Sequence, residues 1–204
     1  MGERFALARW RIIAGGRYNN RMSVSVVCEA HSISVDNERG IATGWLEGSL
    51  SEAGKAQARR LGERRRNDGL AVVFSLDLLR AVETAEIAFA GSEVPISRDW
   101  RLRVCNYGSM NRMPVAQLEG ERRRRLDEPF PEGESYRQAV ARVRGFLDEL
   151  PRAYSSQRVL IIGHVVTRWA LDHVVLGTTL EELVEAPFDW REGWEYVLPD
   201  APTR

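Results

Sequence analysis

Val24-Ser25-Val26-Val27-Cys28-Glu29-Ala30-His31 and, far downstream, Val159-Leu160-Ile161-Ile162-Gly163-His164 decide the fold. Each is an apolar run of strand length that delivers a histidine at its carboxyl end. Histidine is scarce, with three in 204 residues, and two of the three occupy equivalent strand ends. In an open α/β sheet, ligands bind in the crevice beyond the carboxyl ends of the strands. Two imidazoles meeting there suggest a nucleophile or an acid/base pair.

Strand-like and helix-like segments alternate from Ser23 onward, which argues for a parallel-rich sheet covered by helices. A polar loop, 32–49, follows the first strand. A helix capped by Ser51 comes next, with Leu50, Ala53, Gln57, Ala58 and Leu61 on one face. Arg64-Arg65-Arg66 closes it, where cations favour the helix dipole. Leu70–Ser75 is the second strand. The next helix spans about 77–90, with Leu78, Val82, Ala85 and Phe89 at core spacing. Val94-Pro95-Ile96 reads as a short edge strand. The segment 99–131 is less regular and is expected to be a lid or insertion. It holds a short helix near 114–125, whose run Arg122 to Arg125 reads as a solvated face. The longest helix covers about 135–150, with Tyr136, Ala139, Val140, Val143, Phe146, Leu147 and Leu150 as its apolar stripe. A helix over about 167–176 follows the His164 strand, and Trp194–Leu198 reads as a last edge strand.

Lys+Arg and Asp+Glu balance at 29 each, so the chain has no overall attraction for nucleic acid or for a membrane surface. Attraction for an anion must therefore be local. Residues 1–21 differ in composition and read as a flexible extension ahead of a domain over 22–204, without the apolar core of a secretory signal. Cys28 and Cys105 give no disulfide framework, which fits a reducing, cytoplasmic setting. No His-Glu-x-x-His or Cys-x-x-Cys spacing is present, so neither a metal nor another cofactor is expected. His173, nine positions after His164, falls out of phase with the rim. Trp169, Trp190 and Trp194 are expected to pack rather than to line a site. The tail 187–194 is expected to wrap the sheet edge or to serve a homodimer contact.

Three strand ends converge on one rim: His31 after the first, Asp77 to Arg80 after the second, and Gly163-His164 after the fourth. Arg80 falls in a first helical turn, where the helix N-terminus adds positive potential. Two histidines, an arginine and a helix N-terminus describe an anion site, with phosphate the obvious occupant.

These stretches resemble the histidine phosphatase superfamily, also called phosphoglycerate mutase-like. Its Arg-His-Gly opening, with an Asn six residues past the His, aligns with Ala30-His31-Ser32 and Asn37. Its Leu-Thr/Ser-Glu-x-Gly-x-x-Gln-Ala helix start is Leu50 to Ala58, and its Ser-x-Asp-Leu-x-Arg-Ala-x-Glu-Thr-Ala is Ser75 to Ala85. Pro131-Glu132-Gly133-Glu134-Ser135 matches Pro-x-Gly-Glu-Ser, and Gly163-His164 the second histidine. The resemblance implies a three-layer α/β sandwich with a mostly parallel central sheet and helices on both faces. It makes His31 the nucleophile that becomes phosphohistidine, Arg80 and His164 phosphate ligands, and Asn37 a pocket residue. A small phosphorylated or anionic metabolite would be the partner.

Two positions depart from that pattern. The family arginine before the nucleophile is Ala30, and a charge-assisted hydrogen bond contributes roughly 1.5–3 kcal/mol. The family glutamate that protonates the leaving group is Val104, and a general acid supplies about 10²–10⁴-fold in rate. The aspartate that follows the second histidine in some branches is Val165, and Ser32 replaces the motif glycine. Glu29, Asp36, Glu83 and Glu134 lie near the expected rim and are the candidate replacement acids. Glu29 also has a plain reading as a carboxylate that pairs with Arg80 or an amide, and Glu83 and Glu134 as helix-start residues that order the pocket. Three readings stand: a weakened phosphomonoesterase, a repurposed isomerase, cyclase or lyase of the same fold, and a non-catalytic anion-binding protein.

Overall fold

The computed structural model describes residues 23–187 and 190–199; the extension expected over 1–21 lies outside them. β1 (Ser23–Ala30) carries Val24, Val26, Val27, Cys28 and Glu29 fully buried. Neighbouring positions of one strand point to opposite faces, so both faces of β1 are covered. α1 (Glu52–Arg65) begins as expected, with the Ser51 hydroxyl accepting from Gly54 N at 3.1 Å. Its buried stripe is Gly54, Ala58, Leu61 and Gly62, which leaves Ala53 exposed and moves the core face one residue from the expected one.

β2 (Leu70–Ser75) leads into α2 (Leu79–Ala88). The helix starts two residues later than its sequence suggests, because Arg103 grips the Asp77 carboxylate with Nε and Nη2 at 2.6 and 2.7 Å and Leu78 is extended. Leu78, Val82, Ala85 and Phe89 are all buried. β3 is Ile96–Arg98, slightly beyond the expected edge strand. α3 (Val115–Glu121) lies within the irregular segment. α4 (Tyr136–Leu147) buries every residue of its expected stripe. It stops short of Leu150 because Pro151 cannot bond back to Leu147, and a separate turn, Leu150–Ala153, follows.

β4 (Arg158–Gly163) is buried at every position from Val159. α5 (Val165–Leu171) ends in a π turn over Asp172–Leu176, and α6 (Leu180–Glu185) and β5 (Trp194–Pro199) complete the described chain. The sheet order is β3-β2-β4-β1-β5, all parallel except β5, which runs antiparallel to β1. This is the mostly parallel sheet between helical layers that the sequence implies. α1 packs on α2, and α4 on α5. The tail does reach the sheet edge through β5; its residues 188 and 189 lie outside the described set.

The register positions the site. β1 and β4 are neighbours with Ala30 opposite Gly163, so the next residues, His31 and His164, emerge side by side. The backbone N–H of His31 donates to Gly163 O at 3.1 Å. A Cβ on Gly163 would meet Thr167 Oγ1 at 2.5 Å. That hydroxyl accepts from His164 N at 3.1 Å and turns the chain from strand into helix at the histidine. The loop 32–49 holds more structure than expected: a helical turn, Val35–Glu38, and a pairing of Ile41–Ala42 with Met113–Pro114. That pairing ties the loop after His31 to the segment carrying α3. Among the described residues no helix is long and apolar enough to cross a membrane, and no group of three or more His, Cys, Asp or Glu gathers.

Candidate active site

A cavity of about 350 Å³ opens at the carboxyl ends of the strands. His31, Arg80, His164 and Asn37 line it together, with Ala30, Gly44, Tyr107, Tyr136 and Trp190. The His31 and His164 rings stand 5.3 Å apart, tilted by 35°.

His31 Nδ1 lies 2.8 Å from the Ser32 carbonyl, which can only accept, so Nδ1 carries the proton. Nε2 therefore keeps its lone pair, and Arg80 Nε donates to it at 3.3 Å. Burial pushes the His31 imidazole down to about 3, and the Arg80 charge acts in the same direction. His164 is also held well below its usual range, by burial first and then by His31 and Arg80. Both rings are thus neutral near pH 7, and His31 Nε2 is an unprotonated nitrogen whose lone pair meets Arg80 Nε.

Arg80 sits in the first turn of α2 and is 2% exposed. Its Nη2 donates to Gly44 O at 3.0 Å. Gly44 can offer that carbonyl because its φ is +63°, and a Cβ there would meet Asn111 Oδ1 at 1.8 Å. The Arg80 backbone is fixed too: its carbonyl accepts from Thr84 Oγ1 at 2.7 Å, and that hydroxyl accepts from Ser32 N at 3.0 Å. Among the described residues no carboxylate pairs with the Arg80 guanidinium, and burial lowers it to about 10. Arg80 Nη1 and His164 Nδ1 are both buried without a hydrogen-bond partner. A buried cation and two unsatisfied polar atoms, on residues that line one cavity, are costly unless a partner completes them.

The remaining sequence candidates fall outside the cavity wall. Glu29 is clasped by Arg65 Nε at 2.9 Å and Arg64 Nη2 at 3.6 Å and points away from His31. Burial raises its carboxyl despite those arginines. Glu83 accepts from Leu50 N at 2.7 Å and fixes the start of α1. Glu134 accepts from Asn106 N at 2.9 Å and pairs with Arg142. Ser32 contributes its backbone carbonyl and amide, not its hydroxyl. Asn37 does line the cavity, while its Oδ1 accepts from Ser34 N at 3.0 Å. Asp36 accepts from Thr43 Oγ1 at 2.9 Å. Val104 is buried in the core, its carbonyl held by Trp45 Nε1 at 2.6 Å. His173 bonds Thr178 O at 2.8 Å, away from the rim.

Sequence reasoning missed Gly44, Tyr107, Tyr136, Trp190 and the α3 face of Val115, Leu118, Glu119 and Arg122, which all line the cavity. The run Arg122 to Arg125 is not one solvated face. Arg123 and Arg124 are 87% and 59% exposed, whereas Arg122 and Arg125 are 18% and 7% exposed. Trp190 lines the cavity although packing was the expectation, while Trp169 packs edge-on to Tyr136 at 5.2 Å.

A family model described as histidine phosphatase superfamily (branch 1) matches residues 30–190. Phosphoserine phosphatase 1 of Hydrogenobacter thermophilus is 32% identical over 168 residues, covering 78% of this chain and 79% of that protein. A 2,3-bisphosphoglycerate-dependent phosphoglycerate mutase of Methylobacterium radiotolerans is 34% identical over 170 residues, covering 76% and 80%. Among solved structures, Bacillus stearothermophilus YhfR superposes with a TM-score of 0.74 at 24% identity, over 85% of this chain and 90% of that one, a likeness of fold.

Proposed function

Because the chain belongs to the histidine phosphatase superfamily, we propose that it hydrolyses a small phosphomonoester through a phosphorylated His31. Phosphatases and mutases of this family are its relatives, and the hydrolase reading takes its support from the cavity. The observation that carries it is Arg80: a buried guanidinium that pairs with no carboxylate among the described residues, has one unsatisfied nitrogen, and donates from Nε to the unprotonated nitrogen of His31. A phosphoryl oxygen is the partner that matches this geometry.

In the first step His31 Nε2 attacks phosphorus and the bond from phosphorus to the ester oxygen breaks. Charge on the phosphoryl oxygens is met by Arg80, by the N-terminal turn of α2 and by His164. In the second step water attacks phosphorus, the P–N bond breaks, inorganic phosphate leaves and Nε2 regains its lone pair. With valine at position 104, the leaving oxygen departs as the anion and takes its proton from solvent water. Ile33, Ile41, Val115 and Leu118 give the wall an apolar part, which suits an ester with an apolar portion to its body.

Steady-state hydrolysis of an aryl phosphate between pH 4 and 8 tests this reading. Turnover that disappears in His31→Asn while the variant stays folded is the expected result. No turnover across that range in the wild type, or turnover that survives His31→Asn, overturns it.

A further inference from the structure

The cavity wall contains a second arginine, Arg122, at the carboxyl end of α3. It is the one member of the four-arginine run that turns into this cavity. Arg125 is fully engaged, with Glu121 at 2.9 Å, Glu128 at 3.1 Å and Pro129 O at 2.7 Å. Arg123 is outward and pairs with Glu185 at 3.1 Å. Arg122 hydrogen-bonds the Tyr136 side chain, which lines the same cavity; the one carboxylate it meets among the described residues is Glu119, Nη2 donating to Oε1 at 3.4 Å, and that carboxylate is itself 54% exposed. A long pair whose carboxylate is more than half exposed is weak and exchanges easily. Ala30 lines the same cavity with a methyl group.

We propose that Arg122 supplies the second arginine contact to the phosphoryl group, delivered from the α3 segment in place of the side chain missing at position 30. This rests on the phosphomonoesterase reading above and assigns a ligand to the same site. The guanidinium lies near enough to His164 to add to the lowering of that imidazole, and it partly offsets burial at Tyr107 and Tyr136. The same placement gives the segment 99–131 its role. Met113–Pro114 is anchored to Ile41–Ala42, which holds α3 over the cavity and presents Arg122 to an anion bound between His31 and His164.

The test is calorimetric titration with inorganic phosphate, alongside aryl phosphate kinetics, on Arg122→Ala, Arg123→Ala and the double variant Ala30→Arg/Arg122→Ala. Arg122→Ala is expected to weaken phosphate affinity and kcat/KM by about 10- to 100-fold, the range of a lost charge-assisted hydrogen bond. Arg123→Ala should stay within about twofold of wild type, as expected for an exposed surface charge. Restoring an arginine at position 30 should recover most of the phosphate affinity, which a merely structural role for Arg122 would not allow. If Arg122→Ala unfolds, Arg122→Lys retains the stem and charge but loses the fork, and a several-fold weakening is then expected. Wild-type phosphate affinity in Arg122→Ala overturns the proposal, as does a loss confined to KM for bulky esters, or a wild type that binds no phosphate. Failure of the phosphomonoesterase reading looks different: phosphate binds through Arg122, but no ester is turned over.

Discussion

Arg80 Nε donates to His31 Nε2 across 3.3 Å, so the one cation buried beside the histidine pair occupies the lone pair that a nucleophile needs. The contact is long for a hydrogen bond, and it places the guanidinium where an incoming phosphoryl group would be held against that nitrogen. Arg80→Ala should therefore cost about 10²–10³-fold in kcat/KM on an aryl phosphate, the range seen when one oxyanion donor is removed. Arg80→Lys should recover little. A single ammonium cannot serve Gly44 O, the imidazole and a phosphoryl oxygen in one plane. Kinetics within a few-fold of wild type for either variant would remove Arg80 from the mechanism.

The pH dependence follows from the depressed imidazoles. A histidine held at about 3 is unprotonated throughout the usual working range. The acidic limb of kcat/KM, which reports the free enzyme, should therefore lie well below 6.5. Stability shifts the opposite way to a salt-bridged histidine. The unfolded chain binds protons at His31 and His164 near pH 6.5 and the folded chain does not, so stability is full above that pH and falls as pH drops toward 3. Melting temperature measured at pH 7.5 and at 4.5 should show this loss. His31→Asn/His164→Asn should shrink the difference between the two pH values. An equal difference in that variant would place the acid sensitivity elsewhere.

Glu29 tests the line between structure and chemistry. It is buried and clasped by Arg65, whose Nη2 also donates to Glu192 O at 2.8 Å. Arg65→Ala leaves a buried carboxylate without its main partner and should cost roughly 3 kcal/mol of stability by chemical denaturation. The kcat of the folded fraction should be unchanged, since neither residue lines the cavity. A large fall in kcat at unchanged stability in Glu29→Gln would instead make Glu29 the proton donor.

Val104 has a kinetic signature of its own. With no carboxylic acid at that position, negative charge builds on the departing oxygen, and rates should track leaving-group acidity. A series of aryl and alkyl phosphates should show aryl esters cleaved far faster than alkyl esters. A flat series would reveal a donor, and Glu119 is the one carboxylate among the described residues that line the cavity.

Much of this was legible in the chain. The buried-strand runs ending on His31 and His164 announced both the sheet and the rim, because parallel strands of that kind bring their carboxyl ends together. Ser51 marked a helix start by its capping chemistry, and the α4 stripe was readable by period alone. Local pattern could not say which way a charged side chain turns. Glu29, Glu83 and Glu134 sit near the rim in sequence, but Arg65, Leu50 N and Arg142 draw them off. Arg122 looked like its exposed neighbours, and the helix that carries it follows a pairing of Met113–Pro114 with Ile41–Ala42, a contact between residues about 70 apart that local pattern does not show. Gly44 gave no signal beyond being glycine, because its role lies in the direction of a carbonyl.

The central claim is covalent, so the most direct measurement is chemical. The protein is mixed with an aryl phosphate labelled at phosphorus, quenched in alkali and digested, and the label is mapped. The account predicts label that is stable to alkali and labile to acid, on the peptide containing His31, and absent from His31→Asn. Label on another residue, or turnover with no label under any quench, would contradict it.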